Sequence, residues 1–328
     1  MTGIPSDHPE APACVALESE SVRVTLLPAK GFDIYELIDR ASGTDVLFKT
    51  PWGWREPTSL PPLGSRMADW LARYAGGWQV LLPTSGGDRV AEGSPEGFHG
   101  EAAIMPWRLG ALTATTATAS LDLLTAPLRI ERTVTLVDTM LTVEETVTNL
   151  SSVPQRVHWV HHPAFGEPFL SPATVFDIPA ESIVTEPGRG DIVAGSLHPW
   201  PLASDGDGGI VDLSRMPART EPREIFGTLV GFREGRYAIT NPDLGLRVEV
   251  TWDLDLFPYA WFWQELEATE EYPWFRRAYV TAVEPASLIP GTGETAGWTR
   301  GRLVTIEAHS ARSTTVTMSL TATTDGAP

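Results

Sequence analysis

A single cysteine, Cys14, among 328 residues leaves no means of forming an intramolecular disulfide framework or a cysteine-based metal cluster. Basic residues are scarce as well: 24 Lys and Arg stand against 42 Asp and Glu, a formal charge of −18. Without a basic face to neutralise phosphates, nucleic acid and anionic membranes are not expected partners. The surplus acid reads as solvated surface. No apolar run is long enough to span a bilayer, and Met1 to Ala13 lacks the basic-then-apolar order of a secretory leader. A soluble, cytoplasmic protein is the expectation.

What the chain does contain is proline (28), glycine (29) and 42% hydrophobic residues, a balance suited to many strands and turns around an ample core. Residues 1–13 read as a loose tail and 14–328 as one domain, with no composition break or linker between them. Short alternating runs begin at Val15–Leu17, Val22–Leu26 and Gly31–Ile38. Residues 51–63 form an irregular Pro/Trp loop, and Met67–Tyr74 a turn or two of helix stopped by Gly76-Gly77. The clearest strands are Leu112–Leu124, Leu128–Leu136 and Met140–Asn149, where Thr and Val alternate. Between Gly166 and Arg219 the pattern weakens, and Asp205-Gly206-Asp207-Gly208-Gly209 reads as a turn. Strands resume at Ile225–Phe232, Tyr237–Thr240, Leu246–Trp252 and Tyr279–Ser287, with two closing ones at 301–307 and 313–322. Several sheets' worth of alternating strands need a facing layer, so the expected fold is an all-β, large antiparallel β-sandwich.

Three of the seven histidines fall in His158-Trp159-Val160-His161-His162-Pro163. In an extended strand His158, Val160 and His162 share one face. Pro163 cannot donate to a ladder, so the strand is expected to end or bend there and leave His162 at a rim. Imidazole passes protons near neutral pH, which makes His162 the candidate proton donor. His158 and His161 read as half-buried residues satisfied by their neighbours. Arg89, His99 and Glu284 also sit at strand ends or turns, and Trp78, Trp261 and Trp263 supply aromatic faces. Aromatic rings beside a few polar groups suit a sugar, whose C–H faces are apolar and whose hydroxyls need hydrogen bonds. The glycines of 86–93 are not a P-loop, because no Gly-Lys-Ser/Thr follows and no helix begins there.

Asp88-Arg89-Val90-Ala91-Glu92-Gly93 followed by Phe98-His99-Gly100 resembles the Asn-Arg-Ile-x-x-Gly … Leu-His-Gly stretch of the aldose 1-epimerases, or galactose mutarotases. His162-Pro163-Ala164-Phe165 is similar to their His-x-Tyr-Phe segment, with Ala164 in place of tyrosine. Val283-Glu284-Pro285-Ala286-Ser287, followed later by Gly301-Arg302-Leu303, resembles the strand carrying their catalytic glutamate. The resemblance implies a galactose mutarotase-like supersandwich with one sugar cleft and no metal or cofactor. It implies that Glu284 is the general base on the anomeric hydroxyl and His162 the general acid on the ring oxygen. It implies that His99 and Arg89 hold hydroxyls near the ring oxygen, and Trp78, Trp261 and Trp263, from their aromatic faces, are the further sugar-binding candidates. The family's substrate-binding aspartate has no clear match among Glu224, Asp253 and Asp255.

Two other readings stand beside this one. A non-catalytic sugar-binding protein could use the same scaffold, because fold does not fix function. A metal-dependent isomerase or lyase could draw on His158, His162 and Glu167, although two histidines four strand residues apart are separated by roughly 13 Å. Sugar phosphates would need a cationic cluster, for which Arg66, Arg73 and Arg89 are the available set, so a neutral sugar is preferred.

Overall fold

A computed structural model describes residues 13–55, 65–91, 93–190, 192–193, 196–290 and 303–323, apart from the side chains at 89, 91 and 187–190. The tail expected over 1–13 therefore falls, but for Ala13, outside the described residues. So do Glu92, Gly301, Arg302 and parts of the loops expected over 51–63 and 290–297.

Two large antiparallel sheets dominate. The first has eleven strands, ordered Val15–Glu18, Val22–Leu27, Asp33–Asp39, Trp78–Leu81, Val160–Gly166, Tyr279–Ala286, Tyr259–Leu266, Arg223–Val230, Ser182–Gly190 and Leu197–Pro199, with Thr44–Asp45 beside Asp33–Asp39. The second has eight: Val175–Asp177, Arg236–Asn241, Leu246–Trp252, Ala311–Ala322, Met140–Asn149, Leu128–Val137, Thr116–Asp122 and Arg108–Leu112. Their facing sides share one apolar cluster that includes Val24, Trp78, Val134, Val143, Phe262 and Val316. This is the expected all-β sandwich.

The two sheets differ in how they treat their second face. Leu128–Val137 and Met140–Asn149 pair in register from Leu128↔Asn149 to Val137↔Met140, and buried and partly exposed residues alternate along both. One face meets the core and the other meets water, which is what a period of two prescribes. In the eleven-stranded sheet the central strands Trp78–Leu81, Val160–Gly166 and Tyr279–Ala286 are buried at every residue. Their outer face is covered by a second apolar cluster built from Phe48, Trp70, Leu71, Tyr74, Trp274 and Leu288. A strand covered on both sides has no need to alternate.

Trp70 and Leu71 belong to the helix Arg66–Arg73, whose Ser65 N-cap accepts from the Ala68 amide at 3.1 Å. Gly76 and Gly77, with φ of 94° and 82°, turn the chain from the helix end into Trp78–Leu81. A Cβ at either would collide with the Phe48 or Ile34 carbonyl, so glycine is required there. The weakly patterned stretch after Gly166 also folds as β structure, and Asp205–Gly209 turns the hairpin between Leu202–Ser204 and Ile210–Asp212. The aromatic run after Pro258 is a strand too, Tyr259–Leu266. Among the described residues no helix is long and apolar enough to cross a membrane.

One expectation needs correction. The histidine strand begins at Val160, after His158 and Trp159, and runs through Pro163 to Gly166 near the middle of the sheet. His162 is therefore mid-strand and not at a rim. Pro163 and Pro285 lie in neighbouring strands, whose register is kept at Val160↔Ala286 and again at Ala164↔Ala282. Both prolines fall inside that interval, so their missing N–H groups open a local gap in the ladder without ending either strand.

Candidate active site

Cross-strand neighbours in a sheet share a face, so the registers alone assemble a row of side chains. Ile34 pairs with Trp78, which sets Asp33 beside Gln79. Gln79 pairs with His162. The Val160↔Ala286 register sets His162 beside Glu284. Glu284 pairs with Trp261, and Trp261 with Thr228. Asp33, Gln79, His162, Glu284, Trp261 and Thr228 thus cross six strands on the outer face, beneath the helix and its aromatic neighbours. His162 Nε2 lies 3.6 Å from Glu284 Oε1, and the two residues are 6% and 1% exposed.

The row is polar yet sealed. Asp33 Oδ2 accepts from Lys30 Nζ and, at 2.9 Å, from Gln79 Nε2. Asp33 Oδ1, Gln79 Oε1, His162 Nδ1, Glu284 Oε2 and the Tyr74 hydroxyl have no hydrogen-bond partner among the described residues. Buried polar atoms are mostly satisfied, and five of the fifteen exceptions among the described residues gather around this one row, which makes it the candidate site.

Burial also decides the charges. It pushes the Glu284 carboxyl well above the ordinary range. It pulls the His162 imidazole down to about 4, and the charge of Lys30 adds to that. Each group is thereby disfavoured in its charged form. Burial likewise lowers Lys30 and raises Asp33, each effect opposed by their mutual attraction.

The helix contributes Tyr74 at its C-cap, with its ring edge-on to His162 at 5.7 Å between centroids. Trp263 lies 6.0 Å from His162 and 5.6 Å from Trp274, which stacks on Trp52. Trp261, on the same face, donates its indole N–H to the Leu288 carbonyl. His99 joins the same aromatic cluster from another side: its ring meets Trp70 at 4.7 Å, and Trp70 stacks on Tyr74. Its Nδ1 lies 2.6 Å from the Ser85 carbonyl, and a carbonyl only accepts, so Nδ1 carries the hydrogen.

The remaining sequence candidates separate. Trp78 is on the opposite face, in the inter-sheet core, donating to His161 Nδ1 at 3.2 Å. That is a correction, and period two is its cause: Gln79, one residue on, occupies the place on the site face. The backbone of Arg89 pairs with Glu96 in a short hairpin, and its side chain lies outside the described residues. Asp253 and Asp255 line a cleft of about 210 Å³ with Val304 and Arg312, at the eight-stranded sheet. Glu224 pairs with Glu265 and shares the face of Trp261 and Glu284. Arg73 donates to the Asp69 carbonyl, and Arg66 is exposed.

The proposed metal trio does not converge. His158 Nδ1 accepts from the Ser85 amide, and half-exposed Glu167 pairs with Arg219. Among the described residues no three His, Cys, Asp or Glu side chains are grouped as metal ligands. Sequence reasoning missed Lys30, Asp33, Tyr74 and Gln79. Gln79 did leave a signal, as the one polar residue in the otherwise apolar run Trp78-Gln79-Val80-Leu81.

These two sheets, with a polar row under a short helix, define a galactose mutarotase-like β-sandwich. Residues 12–320 match the family described as "domain of unknown function (DUF4432)", and the chain belongs to that family. Among solved structures, one from Synechocystis is 20% identical at a TM-score of 0.69, the match covering 98% of this chain and 100% of that one. A galactose mutarotase-like protein from Lactobacillus casei is 17% identical at 0.63, covering 94% and 100%. An aldose epimerase homologue from C. elegans is 13% identical at 0.62, covering 95% and 99%. At these identities the likeness is one of fold. No curated protein sequence matches the chain.

Proposed function

We propose that the chain is an aldose 1-epimerase-type isomerase that interconverts the α and β anomers of a sugar through its open form. The observation that carries this is the contact of His162 with Glu284 at 3.6 Å, each with its second polar atom unpartnered. The ring oxygen and the anomeric hydroxyl of an aldose are attached to the same carbon. A side-by-side acid and base can therefore reach both from one side of the ring. Opening needs a proton delivered to the ring oxygen and another removed from the hydroxyl, and a pair sharing one proton supplies both.

The sequence resemblance makes Glu284 the base and His162 the acid. Burial supports the opposite resting arrangement, with the proton on Glu284. In that form Glu284 donates to the ring oxygen while the C–O bond breaks, and His162 takes the hydroxyl proton as the carbonyl forms. The carboxylate and imidazolium left behind attract one another. After rotation about the bond between the first two carbons, both transfers reverse and the ring closes on the other face. Each positioned proton donor or acceptor contributes typically about 10²–10⁴-fold. The described cation whose charge reaches His162, Lys30, is already committed to Asp33, which favours a neutral aldose over a phosphorylated one.

Glu284→Gln is expected to reduce anomer exchange, followed by polarimetry or exchange NMR, by at least about 10²-fold while sugar binding stays measurable. Wild-type exchange in that variant overturns the assignment. The near-complete burial of the pair favours one second reading, a sugar-binding protein without catalysis. Wild-type protein that binds an aldose and leaves its exchange rate at the solution value would establish it.

A further inference from the structure

His162 and Glu284 are 6% and 1% exposed, and Asp33 and Gln79 are sealed entirely, so nothing the size of a sugar reaches the row as it stands. Two aromatic pieces cover it. One is the loop that carries Trp274, which stacks on Trp52. That loop is bound down at several points. Buried Glu265 accepts from the Ala268 and Thr269 amides at 2.8 and 3.0 Å. The Glu267 amide donates to the Ala278 carbonyl at 2.8 Å, and Arg277 reaches the Pro51 carbonyl. The other piece is the helix Arg66–Arg73, whose buried face is Trp70, Leu71 and the C-cap Tyr74. The Trp70 indole N–H and the Tyr74 hydroxyl have no hydrogen-bond partner among the described residues. What presses this face onto the sheet is ring contact, Trp70 on Phe98 and His99, Tyr74 on Phe48 and His162. Eight residues are too few for a helix to be firm by itself, so its stability comes from those contacts. The chain beyond it is fixed: the Ala75 carbonyl accepts from the Thr50 amide at 3.1 Å, and the Gly77 amide donates to the Phe48 carbonyl at 2.9 Å. Trp52 donates its indole N–H to the Tyr74 carbonyl at 2.8 Å, which puts the pivot at the helix end.

We infer that the helix Arg66–Arg73 is a lid that pivots on the pinned segment Tyr74–Gly77, lifting Trp70 and Leu71 away and freeing the Tyr74 ring to swing off the His162–Glu284 pair. The loop that carries Trp274 stays in place, because opening it would break the bonds of Glu265, Glu267 and Arg277. Lifting the helix gives water to polar atoms that the closed state leaves unsatisfied, Trp70 Nε1, the Tyr74 hydroxyl and Glu284 Oε2. That offsets part of the apolar burial that is lost. Closing over a bound sugar restores the dry surroundings in which burial holds His162 down. What the lid admits rests on the acid–base site proposed above, but its motion can be read without turnover.

The test is acylation of the full chain by diethyl pyrocarbonate, which attacks uncharged imidazole, with the modified histidines located by fragmentation mass spectrometry. His161 is the internal control. It is fully buried on the opposite face, so unfolding of the whole sandwich exposes it together with His162, and lifting the helix does not. In the wild type His162 is expected to react at least roughly ten-fold faster than His161. Ser65→Ala, which weakens the helix at the end away from the pivot, should quicken His162 acylation and Tyr74 amide exchange by the same factor, roughly five-fold, and leave His161 unchanged. Equal rates for the two histidines in the wild type overturn the inference whatever the variant does. So does a His162 rate that stays constant in Ser65→Ala while Tyr74 exchange quickens. If Glu284→Gln exchanges anomers at the wild-type rate while His162 and Tyr74 still respond together, the catalytic reading fails and the lid survives.

Discussion

His161 and His162 are neighbours in the chain and live in different electrostatic worlds. His161 points into the inter-sheet core, its Nε2 3.3 Å from Glu145 Oε2 and its Nδ1 accepting from Trp78. His162 points out of the sandwich to the Glu284 carboxyl, which burial pushes above its ordinary range. Two consecutive strand residues must take opposite faces, so the proposed catalytic histidine could be separated from its neighbour by parity alone. What parity could not supply was the state of the pair. Desolvation from the helix and the tryptophans sets it, and those lie far away in sequence. The consequence is a pH profile. Burial puts the His162 midpoint near 4 and displaces Glu284 upward. The acid limb of kcat/KM for anomer exchange is expected near pH 4 and not at the usual histidine value of about 6.5. A limb at the unperturbed histidine value would show that His162 is solvated when it works.

At the scale of elements, the helix Arg66–Arg73 and the central strands were legible for different reasons. The glycines after the amphipathic run mark its stop, and the helix expected over Met67–Tyr74 lies at Arg66–Arg73. The central strands did not alternate, because the helix and the Trp274 loop bury their second face. Pro163 therefore looked like a terminus when it is a gap inside a continuous strand. The helix carries Trp70 and Tyr74 onto the site face, so its stability is coupled to the site. Ser65→Ala, which removes the cap to Ala68, is expected to cost about 1 kcal/mol. Amide hydrogen exchange at Tyr74, bonded to the Trp70 carbonyl at 2.9 Å, should then quicken roughly five-fold while the central strands keep their protection. Uniform acceleration throughout the chain would mean that the helix does not open by itself.

Across the whole molecule, the sheets are joined behind the site by a buried ionic cluster. Arg132 and Glu145 are cross-strand partners in the eight-stranded sheet, bonded at 2.6 Å. Arg132 also donates to the Phe32 carbonyl and the Trp159 indole to Glu145, which ties the eight-stranded sheet to the segments that flank the site strands. Burial alone would raise the Glu145 carboxyl, but Arg132 and His161 outweigh it and hold it at about 2. A depressed folded-state value means stability that is present above the unfolded midpoint of about 4.5 and is lost as pH falls towards 2. Glu145→Gln leaves Arg132 buried without its anion and is expected to cost about 3–5 kcal/mol at pH 7. That difference should shrink below pH 4.5 in denaturant titrations of both proteins. A constant difference from pH 7 to 2 would mean that Glu145 is not charged in the folded state. From the residues alone came the sandwich, most of its strands, and the candidates His162 and Glu284, because period-two patterning and turn chemistry are local. Only the tertiary structure decided that a lysine, an aspartate and a glutamine stand in line with that pair, that Trp78 belongs to the core, and that burial pushes Glu284 up and His162 down. Those depend on register between strands distant in the chain and on what covers them, and neither is written in any short stretch of sequence.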